Sequence, residues 1–371
     1  MTSGSVANSL SSVWATSSRL PARASVARRR RPRSSISMAT AVHSSSTSSY
    51  SRTTESRCGV SNIGFLPKFR CELWGVRRYR AIGLGTIFSL FAVLATGGTG
   101  ASAQTAGGIE VLAAGDIAVC GGRGAAATAR LLNRHEGAVL ALGDLAYGEG
   151  TPWQFKHCYD PTWGRHKART WPAPGNHDYR TPRAAGYFAY WGARAGPPGR
   201  GYYSFDLGAW HLISLNSNVA ADPGSAQDAW LRADLAATRA PCILAFWHHP
   251  VFSSGPHGGD ERMRPALRRL YEAGASLVLA GHDHIYERLA PHDPDGRRDA
   301  ARGLRAFVVG TGGARLYRIR RIHPLSEFRF RDQWGLLRLQ LQPGAYAWEF
   351  ITVAGQVRDR GRAHCVARKQ R

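Results

Sequence analysis

Ala138-Val139-Leu140-Ala141-Leu142-Gly143-Asp144-Leu145-Ala146-Tyr147 is the stretch that decides how this chain is read. Five unbroken apolar residues suit a strand buried on both faces, and they stop at Gly-Asp. The same pattern stands upstream, where Ile109-Glu110-Val111-Leu112-Ala113-Ala114 runs into Gly115-Asp116. It returns downstream. Cys242 to Phe246 leads into Trp247-His248-His249-Pro250, and Ser276 to Ala280 leads into Gly281-His282-Asp283-His284. A fifth block, Gly175-Asn176-His177-Asp178, follows Pro174. In α/β sheets, function sits at such strand tips. Asp116, Asp144, Tyr147, Asn176, His248, His282 and His284 together offer carboxylate, phenol, carboxamide and imidazole donors. That set suits two adjacent hard or borderline cations.

Each block alone has a plainer explanation. Gly-Asp is a common turn dipeptide, Asn176 could stabilise a turn, and Tyr147 could be a packed aromatic. Five blocks in one chain favour ligands, because clustered His and Asp side chains need a common partner. From a strand end only one of His248 and His249 can face the ions, so His249 is expected behind the ligands. His135, His157, His166, His211, His292, His323 and His364 read as surface or structural residues. Glu287 and Arg288 are expected to form a supporting ion pair.

Between the blocks, helices are expected over Ala125 to Asn133, Ala226 to Thr238 and Met263 to Glu272. A hairpin joins 202–207 to 210–215 through Gly208, and 148–169 reads as long aromatic loops. The end is β-rich, over 306–309, 336–341 and 346–353. Strands alternating with helices and followed by hairpins predict two mixed sheets covered by helices. With no internal repeat or linker, residues 104–371 read as a single catalytic domain.

The formal charge is +24 over 371 residues. Half of it lies before residue 104, where 14 Lys/Arg face 2 Asp/Glu. Residues 1–73 are Ser/Arg-rich and too poor in apolar residues to fold alone. They read as a disordered extension, a transit-like leader or the product of an upstream start codon, the last being preferred. Residues 74–103 read as a signal peptide: Arg77, Arg78 and Arg80, then an uncharged stretch from Ala81 to Ala95, then Ala101-Ser102-Ala103 as a cleavage site. Secretion to the cell surface or periplasm is the expectation, with no membrane span left after cleavage. The remaining basic excess favours a small phosphorylated substrate; no nucleic-acid motif accompanies it. Cys120, Cys158, Cys242 and Cys365 remain in the mature part, an even number that favours two disulfides in an exported chain. The pairing expected is Cys120–Cys158, tying loops beside the first blocks, and Cys242–Cys365, pinning the tail.

The blocks resemble those of the calcineurin-like metallophosphoesterases, and among them the purple acid phosphatases. The likeness runs from about Ile109 to Ile285. Position 118, where most of the superfamily carries a histidine, is Ala, whereas Tyr147 stands where purple acid phosphatases place a tyrosine ligand. The resemblance implies an αββα four-layer sandwich of two mixed β-sheets. It also implies a binuclear centre: Fe(III) on Asp116, Asp144, Tyr147 and His284, and a divalent Zn, Fe or Mn on Asp144, Asn176, His248 and His282. His177 and His257 would then be the catalytic histidines contacting substrate, with Asp178 orienting His177. The implied reaction is phosphate-monoester hydrolysis by a metal-bound hydroxide. A phosphodiesterase acting on nucleotides or lipid head groups is the first rival. A catalytically inactive binding protein on the same scaffold is the second.

Overall fold

The computed structural model describes residues 108–368. The extension, the signal-peptide stretch and the four residues after it lie outside them. Three parallel strands, β1 (Ile109–Ala114), β2 (Ala138–Leu142) and β3 (Thr170–Ala173), form one half of the first sheet. Its other half is an antiparallel meander, β11 (Gly335–Gln342), β12 (Ala345–Thr352) and β13 (Val357–His364), joined to β1 through β11. β3 was not singled out in the sequence because it is short and contains Pro172. Its place at the sheet edge is where a strand proline costs no ladder bond.

The second sheet runs β10-β8-β9-β7-β6-β5-β4. Its strands are β4 (Tyr203–Leu207), β5 (Trp210–Ser214), β6 (Cys242–Phe246), β7 (Leu277–Ala280), β8 (Tyr286–Leu289), β9 (Arg305–Val309) and β10 (Ser326–Phe330). β5, β6, β7 and β9 are parallel, β4 and β8 join them antiparallel, and β10 pairs antiparallel with β8. Both sheets are therefore mixed, as expected.

Strand alternation builds the layers. Leu212, Leu244, Leu277 and Leu279 join the core that the second sheet shares with Val111, Leu337 and Leu339 of the first. The intervening Ile213, Ile243, Ala245 and Val278 enter a second core with Leu231 of α4 (Ala226–Ala237) and Leu267 of α5 (Arg264–Glu272). Because both faces of β6 and β7 are buried, these strands are apolar throughout. On the first sheet α1 (Gly124–Leu132) buries Ala125, Ala129 and Leu132. The result is an αββα sandwich.

The segment 148–169 is more regular than the loops expected. Thr151 and Gln154 cap one another reciprocally at the start of α2 (Pro152–Gln154), which continues through a π-helical turn at Phe155–Tyr159. A 3-10 segment, Trp163–Arg169, then leads into β3, and α3 (Ala185–Trp191) follows it. Glu287 and Arg288 do not pair with each other. Adjacent on β8, they point to opposite faces. Glu287 is buried and accepts from the Ser254 backbone N–H at 2.8 Å, while Arg288 pairs with Asp359 and Glu327. Two disulfides join Cys120 to Cys158 and Cys242 to Cys365. Among the described residues, no helix is long and apolar enough to cross a membrane.

A pH-dependent contribution to stability is built into β5. His211 is buried between Asp206, its cross-strand partner, and Asp234 of α4, at 2.7 and 2.9 Å. Burial by itself would lower its pKa; the hydrogen bonds and charges of the two aspartates outweigh this and raise it. A raised folded-state pKa stabilises fully below the unfolded value, about 6.5, and the gain is lost as pH rises through the folded value. The stability difference between wild type and His211→Gln, followed by urea unfolding, is therefore expected to shrink from pH 6 to pH 9. A pH-independent difference would remove this role.

Candidate metal centre

The candidate ligands gather where β1, β2, β3, β6 and β7 end. Three of them leave their strands in the left-handed backbone region: Asp116 at φ 62°, Asp144 at φ 52° and His282 at φ 71°. Such conformations cost about 1–3 kcal/mol each and persist where the surroundings impose them. Two glycines make the approach possible. Gly143 has φ 84°, and a Cβ on it would lie 2.4 Å from Nδ1 of His248. A Cβ on Gly175 would lie 2.2 Å from Oδ1 of Asp144.

Four donors converge on one side. The Tyr147 hydroxyl lies 2.8 Å from Oδ1 of Asp116, 3.1 Å from Oδ2 of Asp144 and 2.9 Å from Nε2 of His284. Nε2 of His284 is itself 3.2 Å from Asp116. On the other side, Nε2 of His248 lies 3.1 Å from Oδ1 of Asn176 and 3.3 Å from Oδ2 of Asp144. Asp144 belongs to both groups. The His282 imidazole lies beside this second group, its ring centroid 5.1 Å from that of His248. Its backbone N–H donates to Oδ2 of Asp116 at 2.8 Å.

The donor chemistry fits cations. Nδ1 of His248 is bound to the Leu142 carbonyl at 2.8 Å, and Nδ1 of His284 to the Arg315 carbonyl at 2.7 Å. Each Nδ1 thus keeps its proton, so Nε2 faces the carboxylates either as a proton carrier or as a lone pair. Burial would lower the His248 pKa, but Asp144 and Asp116 overcome it and push it up to about 9. The carboxyls of Asp116 and Asp144 are held below the usual range: burial alone would raise them, but His284 outweighs it at Asp116 and His248 at Asp144. A cation would replace the imidazolium proton. Burial and the two carboxylates hold the Tyr147 phenol well above its ordinary value, so a phenolate there needs a strongly polarising ion.

His177 lies beside this cluster. Its backbone N–H donates to Oδ1 of Asp144 at 2.7 Å, and its ring sits 4.3 Å from that of Tyr147. Nε2 stands 3.9 Å from Asp144. Asp178, expected to orient this imidazole, does not. Its buried carboxylate accepts instead from the backbone N–H groups of Gly175 and Leu145 at 2.9 and 3.2 Å, holding the two loops together. Burial and the Asp144 charge raise its pKa to about 7. The group that fixes His177 is the Gly148 carbonyl, 2.6 Å from Nδ1. Sequence patterns carry no signal for a main-chain partner of this kind.

His249 is not turned away from the cluster as alternation predicts. β6 ends at Phe246, and beyond a strand end the period of two no longer holds. Its ring lies 4.4 Å from that of His282, and donor atoms of His248, His249 and His282 lie within 4.8 Å of one another. Ser217 holds its Nδ1 at 2.7 Å. His257 is exposed, 4.5 Å from the His282 ring. Tyr317 was not singled out in the sequence, yet it stacks on His284 at 4.0 Å.

Part of this chain is similar to known proteins. Residues 109–286 match the family model of the calcineurin-like phosphoesterases. Purple acid phosphatase 21 of Arabidopsis thaliana is 31% identical over 191 residues, covering 46% of this chain and 43% of that protein. Purple acid phosphatase 18 of the same plant is 36% identical over 120 residues, covering 31% and 27%. Acid phosphatase type 7 of Danio rerio is 30% identical over 151 residues, covering 32% and 33%. The chain thus spans less than half the length of these curated relatives. Among solved structures, purple acid phosphatase PPD1 from yellow lupin (Lupinus luteus) seeds superposes with a TM-score of 0.57 at 18% identity, covering 69% of this chain and 53% of that one. GAP50, the anchor in the inner membrane complex of Plasmodium, gives 0.55 at 15% identity, covering 71% and 90%. These two likenesses speak to the fold.

Proposed function

We propose that this chain, a purple acid phosphatase-like member of the calcineurin-like phosphoesterases, is an exported binuclear-metal hydrolase of phosphate monoesters. The observation that carries this reading is the sharing of Asp144 between two donor groups. Asp116, Asp144, Tyr147 and His284 would hold Fe(III), and Asp144, Asn176, His248 and His282 a divalent Zn, Fe or Mn ion. When bound, such ions neutralise phosphoryl charge and lower the pKa of water enough to make a nucleophile near neutral pH.

The chain's own residues supply the rest. With Nδ1–H donated to the Gly148 carbonyl, His177 in its imidazolium form presents Nε2–H, hands that proton to the departing alkoxide and is left as the neutral Nδ1–H imidazole. His257 sits exposed beside His282, within reach of a phosphoryl oxygen that enters there. The backbone carbonyls of Leu142 and Arg315 keep His248 and His284 in the tautomer that offers Nε2. Two disulfides among the described residues support an oxidising compartment and hence export.

Metal analysis, a visible spectrum and paired assays test the reading together. The purified protein is expected to carry two metal ions, to absorb visible light through Tyr147 phenolate, and to turn over p-nitrophenyl phosphate faster than its bis-ester. A colourless protein fully loaded with zinc or manganese would overturn the iron assignment alone. Faster bis-ester turnover would make it a diesterase. An empty site without hydrolysis would leave a binding protein.

A further inference from the structure

We propose that residues 315–323 form a subsite for a second phosphate, so that the preferred substrates are small phosphomonoesters carrying at least one further phosphate group. This rests on the phosphatase reading above and names its substrate class. The segment is Arg315-Leu316-Tyr317-Arg318-Ile319-Arg320-Arg321-Ile322-His323. It is an arch anchored at both ends to loops of the metal centre. At one end the Arg315 carbonyl holds Nδ1 of His284, and the Tyr317 backbone N–H donates to the His284 carbonyl at 3.0 Å. The Tyr317 ring lies against His284 and meets His257 at 5.5 Å. At the other end the His323 backbone N–H donates to Oγ of Ser254 at 2.8 Å, and its ring lies 5.2 Å from Phe252. Phe252 and Ser254 belong to the loop that runs from His248 to His257.

The stretch between the anchors therefore passes along the side of the centre where His257 and His282 stand. Arg315, Arg318, Arg320 and Arg321 are all exposed on it. None of the four pairs with a carboxylate among the described residues. Neighbouring arginines do: Arg262 takes Asp260, while Arg288, Arg298 and Arg305 share Glu327. A charge run is usually just a solvated face. Such a face needs no anchoring to a catalytic loop, whereas this one is tied down at both ends and half-buries Leu316 and Ile319. Four unpaired positive charges along one short exposed segment raise the local concentration of anions. The guanidinium fork matches phosphate oxygens in two-point contacts. With one phosphoryl group at the metal centre, a second on the same small molecule falls to the arch.

Fructose 6-phosphate and fructose 1,6-bisphosphate differ by one phosphate and form the test pair. Wild type and the triple variant Arg318→Gln, Arg320→Gln, Arg321→Gln are compared at fixed ionic strength by kcat/KM and by calorimetric binding. Wild type is expected to prefer the bisphosphate by about tenfold, the combined effect of a few exposed charge-assisted contacts. In the variant that preference should vanish, while fructose 6-phosphate turnover stays within about twofold, since the centre is untouched. An unchanged preference, or equal losses on both sugars, would overturn the subsite. Hydrolysis of both sugars without preference sinks the subsite and spares the phosphatase reading. Absence of hydrolysis with arginine-dependent bisphosphate binding does the reverse. Adsorption to phosphatidylglycerol vesicles without bisphosphate preference would assign the arch to a membrane surface and overturn the proposal.

Discussion

Replacing Asp144 by asparagine is expected to strip metal from the protein and lower turnover of p-nitrophenyl phosphate by at least about 10³-fold. Removing a group that only supports a ligand typically costs about 10–100-fold, and Asp144 touches both donor groups directly. Asparagine isolates the charge. It matches the shape of aspartate, it tolerates the left-handed backbone at φ 52°, and its amide oxygen can still accept from the His177 backbone N–H. The metal-free variant should remain folded, with its melting transition lowered by loss of the buried Asp144–His248 pair. Elemental analysis and kcat decide the matter. A variant with full metal content and ordinary turnover would mean that Asp144 bridges nothing.

His177→Ala should lower kcat on an alkyl ester such as glycerol 2-phosphate by about 10²–10³-fold, within the range for a lost proton donor. Metal content should stay unchanged, because Nε2 of His177 stands 3.9 Å from Asp144 and lies outside both donor groups. On p-nitrophenyl phosphate the loss should be much smaller, since nitrophenolate departs without a proton. That contrast separates a proton donor from a residue that merely packs on Tyr147. Equal losses on the two substrates, or loss of metal, would remove the assignment.

Much of this is legible in the sequence. β1, β2, β6 and β7 can be read because each is a short, mostly apolar run closed by a polar tip, the pattern of a strand buried on both faces. The edge strands were harder. β3 contains a proline, and β10 and β13 carry exposed charges, so neither composition nor alternation singles them out. Two departures share one cause. Chain proximity suggests that Asp178 orients His177 and that Glu287 pairs with Arg288, whereas their partners come from Gly175 and Leu145, and from Ser254 and Asp359.

Residue types and their order along the chain were enough to name the seven candidate ligands and the sandwich of mixed sheets. These follow from local rules: period, turn chemistry and donor softness. Four cysteines allow three pairings, and the fold selects Cys120–Cys158 and Cys242–Cys365. Which atom of each ligand faces the others was decided only in three dimensions. So were the carbonyls of Leu142, Gly148 and Arg315 that orient three imidazoles, and the anchoring of a basic segment beside the centre. Main-chain carbonyls are identical in every residue, so their use leaves no mark in the sequence; only the packing of distant loops selects which of them a histidine meets.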